Sequence, residues 1–321
     1  MKFRYLYKIL LLSAAFLATS ALTASADIKV DYLYNLANFE GIVPFNWAGM
    51  FADKKQDELY VCDSNGVGIF NTSGMEVYNF GDDGALGNIA GGAVNEDGNI
   101  LLLTSRYEYT LATQSGKYVT DLTLCNYRGE LISKVTLKGV PPEFSNFSPE
   151  EMVCHGDKVY LASFGSMKVL VVDWTGKYLD GYNIGSIMGL SENQVRDSGM
   201  TGFDVDKEGN IFFTISVHFQ AYKLTPERKL SSWGVPGGAP GKFNIATGIT
   251  TDDMGNIYVV DTLKSAVEVF SKDFQFLTQF GGRGIGPGEL IAPRGIFIDG
   301  KGMIYVTQSA DRGINVYKIS N

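Results

Sequence analysis

The chain has 321 residues, 45% of them hydrophobic and 19% charged, enough to bury a sizeable core in one domain or two. Acidic side chains outnumber basic ones 35 to 27. The resulting net charge of −8 repels phosphate backbones and speaks against a general nucleic-acid role. With 38 Gly, 20 Phe and 17 Tyr, and no long helical period past the N-terminus, the composition points away from a mainly helical fold, towards many strands joined by tight turns.

Residues 1–26 read as a signal peptide. Lys2, Arg4 and Lys8 precede the apolar run ILLLSAAFLATSALTA, and Ala24-Ser25-Ala26 supplies small residues at a cleavage site. No later run is long and apolar enough to span a bilayer. The expectation is one mature domain, residues 27–321, periplasmic or secreted and without a membrane span. Cys62, Cys125 and Cys154 are an odd set and cannot all pair. Buried free thiols, or one disulfide and one thiol, both remain open. No Cys-x-x-Cys-His motif is present, so no c-type haem is attached.

The first strand expected in the mature chain is DIKVDYLYNL, 27–36, with Ile28, Val30, Tyr32 and Tyr34 alternating. Six repeats follow. Each pairs a short strand, a polar turn and a second strand of the apolar-Tyr-Val kind. These second strands are expected from Leu59, Ile100, Val159, Ile211, Ile257 and Ile304. A third strand follows in each, such as VLVVDWTG or VEVFSKD. A fourth follows in all but the last, such as KYLDGYNIG or FQFLTQFG. Four strands per repeat, at spacings of about 40–60 residues, is the pattern of a β-propeller blade. The sixth repeat ends at GINVYKISN without its fourth strand, and 27–36 is the spare strand that would complete it and cover the open edge.

The stretch Gly282–Tyr317, with GPGELIAPRGI, GMIYV and INVY, resembles an NHL repeat, and GKF…TGITTDDMGNIYVVDTLKSAVEVF resembles another. The resemblance is strongest over Gly238–Tyr317 and weakest in the middle repeats. It implies an all-β, six-bladed β-propeller of NHL type, its last blade closed by the N-terminal strand of the mature chain. It also places Asp at the end of a second strand, which Asp63 and Asp261 match.

The acidic turns NEDGN, DKEGN and TDDMGN lack the ligand spacing of a calcium loop, and Asn, Asp and Gly are what such turns need. Similar propellers that act as amidating lyases bind zinc through three histidines; this chain has two, His155 and His218. His218 is a possible catalytic residue with no visible nucleophile or orienting partner in the sequence. FEGIVPFNW resembles the Glu-Gly-Pro start of the sugar lactonases, which would make Glu40 a ligand of a divalent metal ion with Asp261 and Asn210 or Asn256 as partners. The match departs at Ile42 and Val43.

The longest insertion between second and third strands is 105–121, and the longest approach to a first strand is 186–200. Both are expected to open on one rim of the ring, crowding Arg106, Tyr107, Tyr109, Arg196, His218, Arg283 and Arg294 there. Arg with aromatic residues is the make-up of a protein-binding patch. The functional expectation is an exported, non-catalytic scaffold without a cofactor, binding a protein or small ligand through this rim. The alternatives are a metal-dependent hydrolase or lyase in the central channel and a structural part of an extracellular or redox assembly.

Overall fold

Strand alternation in this chain buries both faces. In Ile100–Leu103 all four side chains are buried. Ile100 and Leu102 pack with Phe51, Tyr60 and Ile69 on one side, while Leu101 and Leu103 pack with Met152, Leu161 and Leu170 on the other. A sheet of such strands must be covered twice, and stacking sheets around a ring does that for every one. The computed structural model describes residues 28–38, 41–43, 49–63, 66–110, 115–145, 147–309 and 312–320. The expected signal peptide and Glu40 lie outside the described residues.

Five blades are consecutive in sequence. The first is Met50–Asp53, Glu58–Asp63, Gly66–Phe70 and Glu76–Phe80. The second is Asn88–Val94, Ile100–Thr110, Ser115–Cys125 and Leu131–Val135. The third is Glu151–His155, Lys158–Ser163, Lys168–Asp173 and Tyr178–Asn183. The fourth is Gly202–Val205, Ile211–Ile215, Gln220–Leu224 and Leu230–Trp233. The fifth is Ala246–Thr251, Ile257–Asp261, Ala266–Phe270 and Phe276–Gly281. The sixth sheet holds Ile296–Ile298, Met303–Thr307 and Ile314–Ser320, and its outer strand is Lys29–Asn35, antiparallel to Ile314–Ser320 with Asp31 opposite Lys318.

Among the described residues the apolar core divides into six clusters, each between two successive blades. The cluster between the sixth and first blades joins Ile314, Val316 and Tyr305 to Leu59, Val61 and Phe70, with Leu36 and Val43 filling the seam. Leu36 is fully buried and its N–H donates to Ile314 O at 2.8 Å.

The turns use the acidic residues for themselves. Asp206 Oδ1 accepts from the N–H groups of Glu208 and Asn210 at 3.0 and 2.8 Å, and Asp252 Oδ1 accepts from those of Met254 and Asn256 at 2.9 and 2.8 Å. The glycine of each turn, Gly209 or Gly255, has φ near +84°, at 83° and 85°. Cys62, Cys125 and Cys154 are thiols outside any disulfide, the first two buried. No helix among the described residues is long and apolar enough to cross a membrane.

Two segments differ from the loops expected of them. Residues 105–121 lie almost wholly in strands, because Ile100–Thr110 and Ser115–Cys125 stay paired from Cys125 opposite Ile100 out to Ser115 opposite Thr110. Residues 186–200 carry short helices, Ile184–Ile187 and Glu192–Ser198. The second is started by Ser191, whose hydroxyl accepts from Gln194 N–H while the Gln194 side chain returns to Ser191 N–H.

Candidate functional site

The first strand of each blade faces the axis, and its small residues set the width of the central channel. A Cβ on Gly202 would meet Thr247 O at 2.1 Å, and one on Gly248 would meet Arg294 O at 2.4 Å. Successive inner strands therefore approach through backbone alone. Around them lies a cavity of roughly 2060 Å³ that the turn residues of one end and Arg294 of the other both line.

Two carboxyl groups on neighbouring blades line this channel. Glu151 opens the first strand of the third blade and Asp204 lies in that of the fourth. Asp204 Oδ2 accepts from Thr251 N–H at 2.9 Å and from the Thr251 hydroxyl at 3.3 Å. Burial pushes Asp204 up to about 6, offset in part by these bonds. Burial also pushes Glu151 up to about 8, and the Asp204 charge adds to it. At neutral pH Glu151 therefore holds a proton beside an ionised Asp204, an arrangement able to donate and accept one hydrogen within the channel. His155, at the turn end of the same cavity, has its Nε2 on Val205 O, and burial lowers its pKa.

Asp261 is fully buried and committed to backbone: its oxygens accept from the N–H groups of Asn244 at 2.6 Å, Ile245 at 3.3 Å and Lys264 at 3.0 Å. Such a carboxylate fastens the loop before its own blade and has little capacity left for a metal. Among the described residues no group of three or more His, Cys, Asp and Glu is placed to hold a metal ion.

Three of the expected rim residues lie in a strand and the rest on connections between strands, in separate places. Arg106, Tyr107 and Tyr109 stand on the long hairpin of the second blade. Arg106 is paired with Glu108 and Asp121, and Lys134 joins Asp121 at 2.6 Å. Arg196 is in the helix before the fourth blade, bonded to Asn193, and the last residue of that helix, Ser198, touches His218. Arg283 sits in the loop after the fifth blade, its strand-like bridge formed with Leu290. Arg294 lies at the channel mouth, where its carbonyl accepts from Gly248 N–H at 2.8 Å.

Glu151 and Asp204 are absent from the sequence reading. Their one signal is an acid at a channel-facing position of a first strand, Asp204 between Phe203 and Val205, and Glu151 followed by Met152 and Val153.

A family model described as a 6-bladed beta-propeller matches residues 245–321. The chain is a six-bladed β-propeller. Its solved neighbours share that architecture. Virginiamycin B lyase from Staphylococcus aureus has 12% sequence identity and a TM-score of 0.56, over 92% of this chain and 99% of that one. A protein of unknown function from Bacteroides thetaiotaomicron VPI-5482 has 13% identity and a TM-score of 0.60, over 91% and 76%. A chain of the nidogen/laminin complex has 14% identity and a TM-score of 0.51, over 75% and 81%. Identities this low carry the fold alone, and this propeller fold serves unrelated tasks. No curated protein matches the chain by sequence.

Proposed function

We propose that this propeller is an exported binding scaffold that engages a protein partner through the rim of its second blade. The observation that carries this reading is the overgrown hairpin. Asn88–Val94 pairs only as far as Ser105, and Leu131–Val135 only as far as Leu122, so residues 106–110 and 115–121 stand clear of the blade as a two-stranded ribbon. One face of the ribbon carries Tyr107, Tyr109 and Tyr118, exposed by 58%, 55% and 67%. Tyr107 and Tyr118 meet edge to face at 5.2 Å, and Gly116 leaves the space that Tyr107 lies across. Arg106, Glu108 and Asp121 pair on the opposite face. Rigid tyrosines on a pinned ribbon present contact area at low entropic cost, as binding hot spots do.

The test is a capture experiment in the native host, with the partner then purified for titration. Replacing Tyr107, Tyr109 and Tyr118 by Ala is expected to weaken its binding at least ~30-fold, since a single hot-spot side chain contributes ~2 kcal/mol or more. Equal affinity of the triple variant and the parent would remove the rim of the second blade from the interface. The raised carboxyl groups of Glu151 and Asp204 on the channel wall support a second reading, acid–base catalysis in the channel.

A further inference from the structure

We propose that Ser198 and His218 form a nucleophile–base pair on the rim between the third and fourth blades, able to take the acyl group of an ester. Ser198 Oγ lies 3.4 Å from His218 Nε2, and His218 Nδ1 lies 2.9 Å from the Tyr222 hydroxyl, which in turn donates to Gln220 Oε1 at 2.8 Å. The direction of this chain follows from its end. An amide carbonyl can only accept, so the Tyr222 hydrogen goes to Gln220, and the Tyr222 oxygen must accept from His218 Nδ1–H. In the neutral imidazole this leaves the Nε2 lone pair facing the Ser198 hydroxyl, the tautomer that a general base requires. Tyr222 is a firm anchor: it is buried, its ring stacks on Phe213 at 4.9 Å, and burial pushes its hydroxyl up to about 12, so it stays neutral.

The repeat supplies an internal comparison. Lys264 occupies in the fifth blade the place of His218 in the fourth. Both turns close alike, with Phe219 N–H on Ser216 O at 3.0 Å and Ser265 N–H on Thr262 O at 3.3 Å, and Phe219 and Ser265 both have φ of 56°. Each side chain also reaches the residue four further on, Lys264 to Glu268 and His218 to Tyr222. There the likeness ends. Lys264 is only 7% exposed and is saturated by Glu268 and the carbonyls of Ala239 and Lys242, so it pins a loop. His218 is half-buried, and its second nitrogen meets a hydroxyl. The position that is structural in one blade is chemically open in the next. Exposed Val217 and Phe219 flank it with apolar surface for the acyl part of a substrate.

The reaction balances with water alone. Ser198 Oγ bonds to the carbonyl carbon as His218 Nε2 takes the hydroxyl proton. The bond from that carbon to the alcohol oxygen breaks, and His218 returns the proton to the departing alcohol. Water, deprotonated by the same nitrogen, then releases the acid and restores the serine. Ser198 and His218 are the catalytic residues and Tyr222 a positioning residue. The proposal is independent of the tyrosine ribbon.

The experiment treats the purified protein with a fluorophosphonate probe, maps the adduct by peptide mass spectrometry and follows p-nitrophenyl acetate hydrolysis alongside. The expected adduct is on Ser198 and is lost in Ser198→Ala. His218→Gln should slow labelling ~100-fold, within the usual range for removal of a general base. Tyr222→Phe should lower the maximal labelling rate with no change in the half-saturating probe concentration, a split that simple loosening of the fold would not give. An unlabelled Ser198 in the folded parent protein, or labelling at the parent rate in His218→Gln, would overturn the assignment.

Discussion

Deletion of Lys29–Leu36 is expected to abolish cooperative folding. Without this strand the outer edge of Ile314–Ser320 has no partner, and the seam between the sixth and first blades loses Leu36 and the packing of Tyr34. The seam between the fifth and sixth loses the packing of Val30 and Tyr32. Truncating one large buried apolar side chain costs ~2–5 kcal/mol, and a whole domain is stable by only ~5–15 kcal/mol. Several such losses at once exceed that margin, and a naked edge beside a hydrophobic seam invites aggregation. The graded version is Leu36→Ala, which should cost ~2–4 kcal/mol in urea unfolding without moving the slope. A soluble deletion protein with an unchanged melting transition would show that the strand is dispensable.

Glu151→Gln is expected to stabilise the protein at alkaline pH and to do almost nothing in acid. The carboxyl titrates at 4.5 in an open chain and at about 8 in the folded channel. Between those values the folded chain keeps a proton that the unfolded chain has lost, so stability falls as pH rises through that window, and the full penalty is present above about 8. Below 4.5 both states are protonated and the penalty vanishes. Gln keeps the shape and cannot ionise. The expected gain is ~2–4 kcal/mol at pH ~9 and near zero at pH ~4, after allowance for water in the channel. Asp204, raised from 3.8 to about 6, keeps its own narrower window of pH dependence at lower pH in the variant. An equal gain at both values, or none at the higher, would mean that Glu151 is solvated like a surface acid.

The repeat was legible because each second strand is buried on both sides and carries a dense apolar run. The expected starts at Leu59, Ile100, Val159, Ile211, Ile257 and Ile304 fall within one residue of the observed strands. The hairpin 105–121 reads as an insertion between strands, because its length exceeds a usual blade strand, although Tyr107 and Tyr109 alternate as strand residues do. The helix Glu192–Ser198 announces itself in Ser191-x-x-Gln194, a capping box that strand-minded reading passes over. What no local pattern holds is the meeting of residues across blades. Glu151 and Asp204 are separated by a whole repeat and line one channel only because the ring turns both first strands inward. Ser198 and His218 are 20 residues apart and meet only when a linking helix folds back over a turn. Asp261 illustrates the converse: a position that invites a ligand reading in sequence, with its oxygens taken up by three backbone N–H groups.

Closure of the ring by Lys29–Asn35 can be read directly from a cross-link. Asp31 and Lys318 are register partners in the pairing of the outermost strand with Ile314–Ser320, and neither is fully buried. With Asp31→Cys and Lys318→Cys together, mild oxidation should join these two positions in most molecules of the native protein, found by non-reducing peptide mass spectrometry. The pair Lys29→Cys and Lys318→Cys, two residues out of register, should join far less. Equal yields from both pairs, or a disulfide in neither, would mean that the strand is not docked in this register and that the sixth blade is closed in some other way.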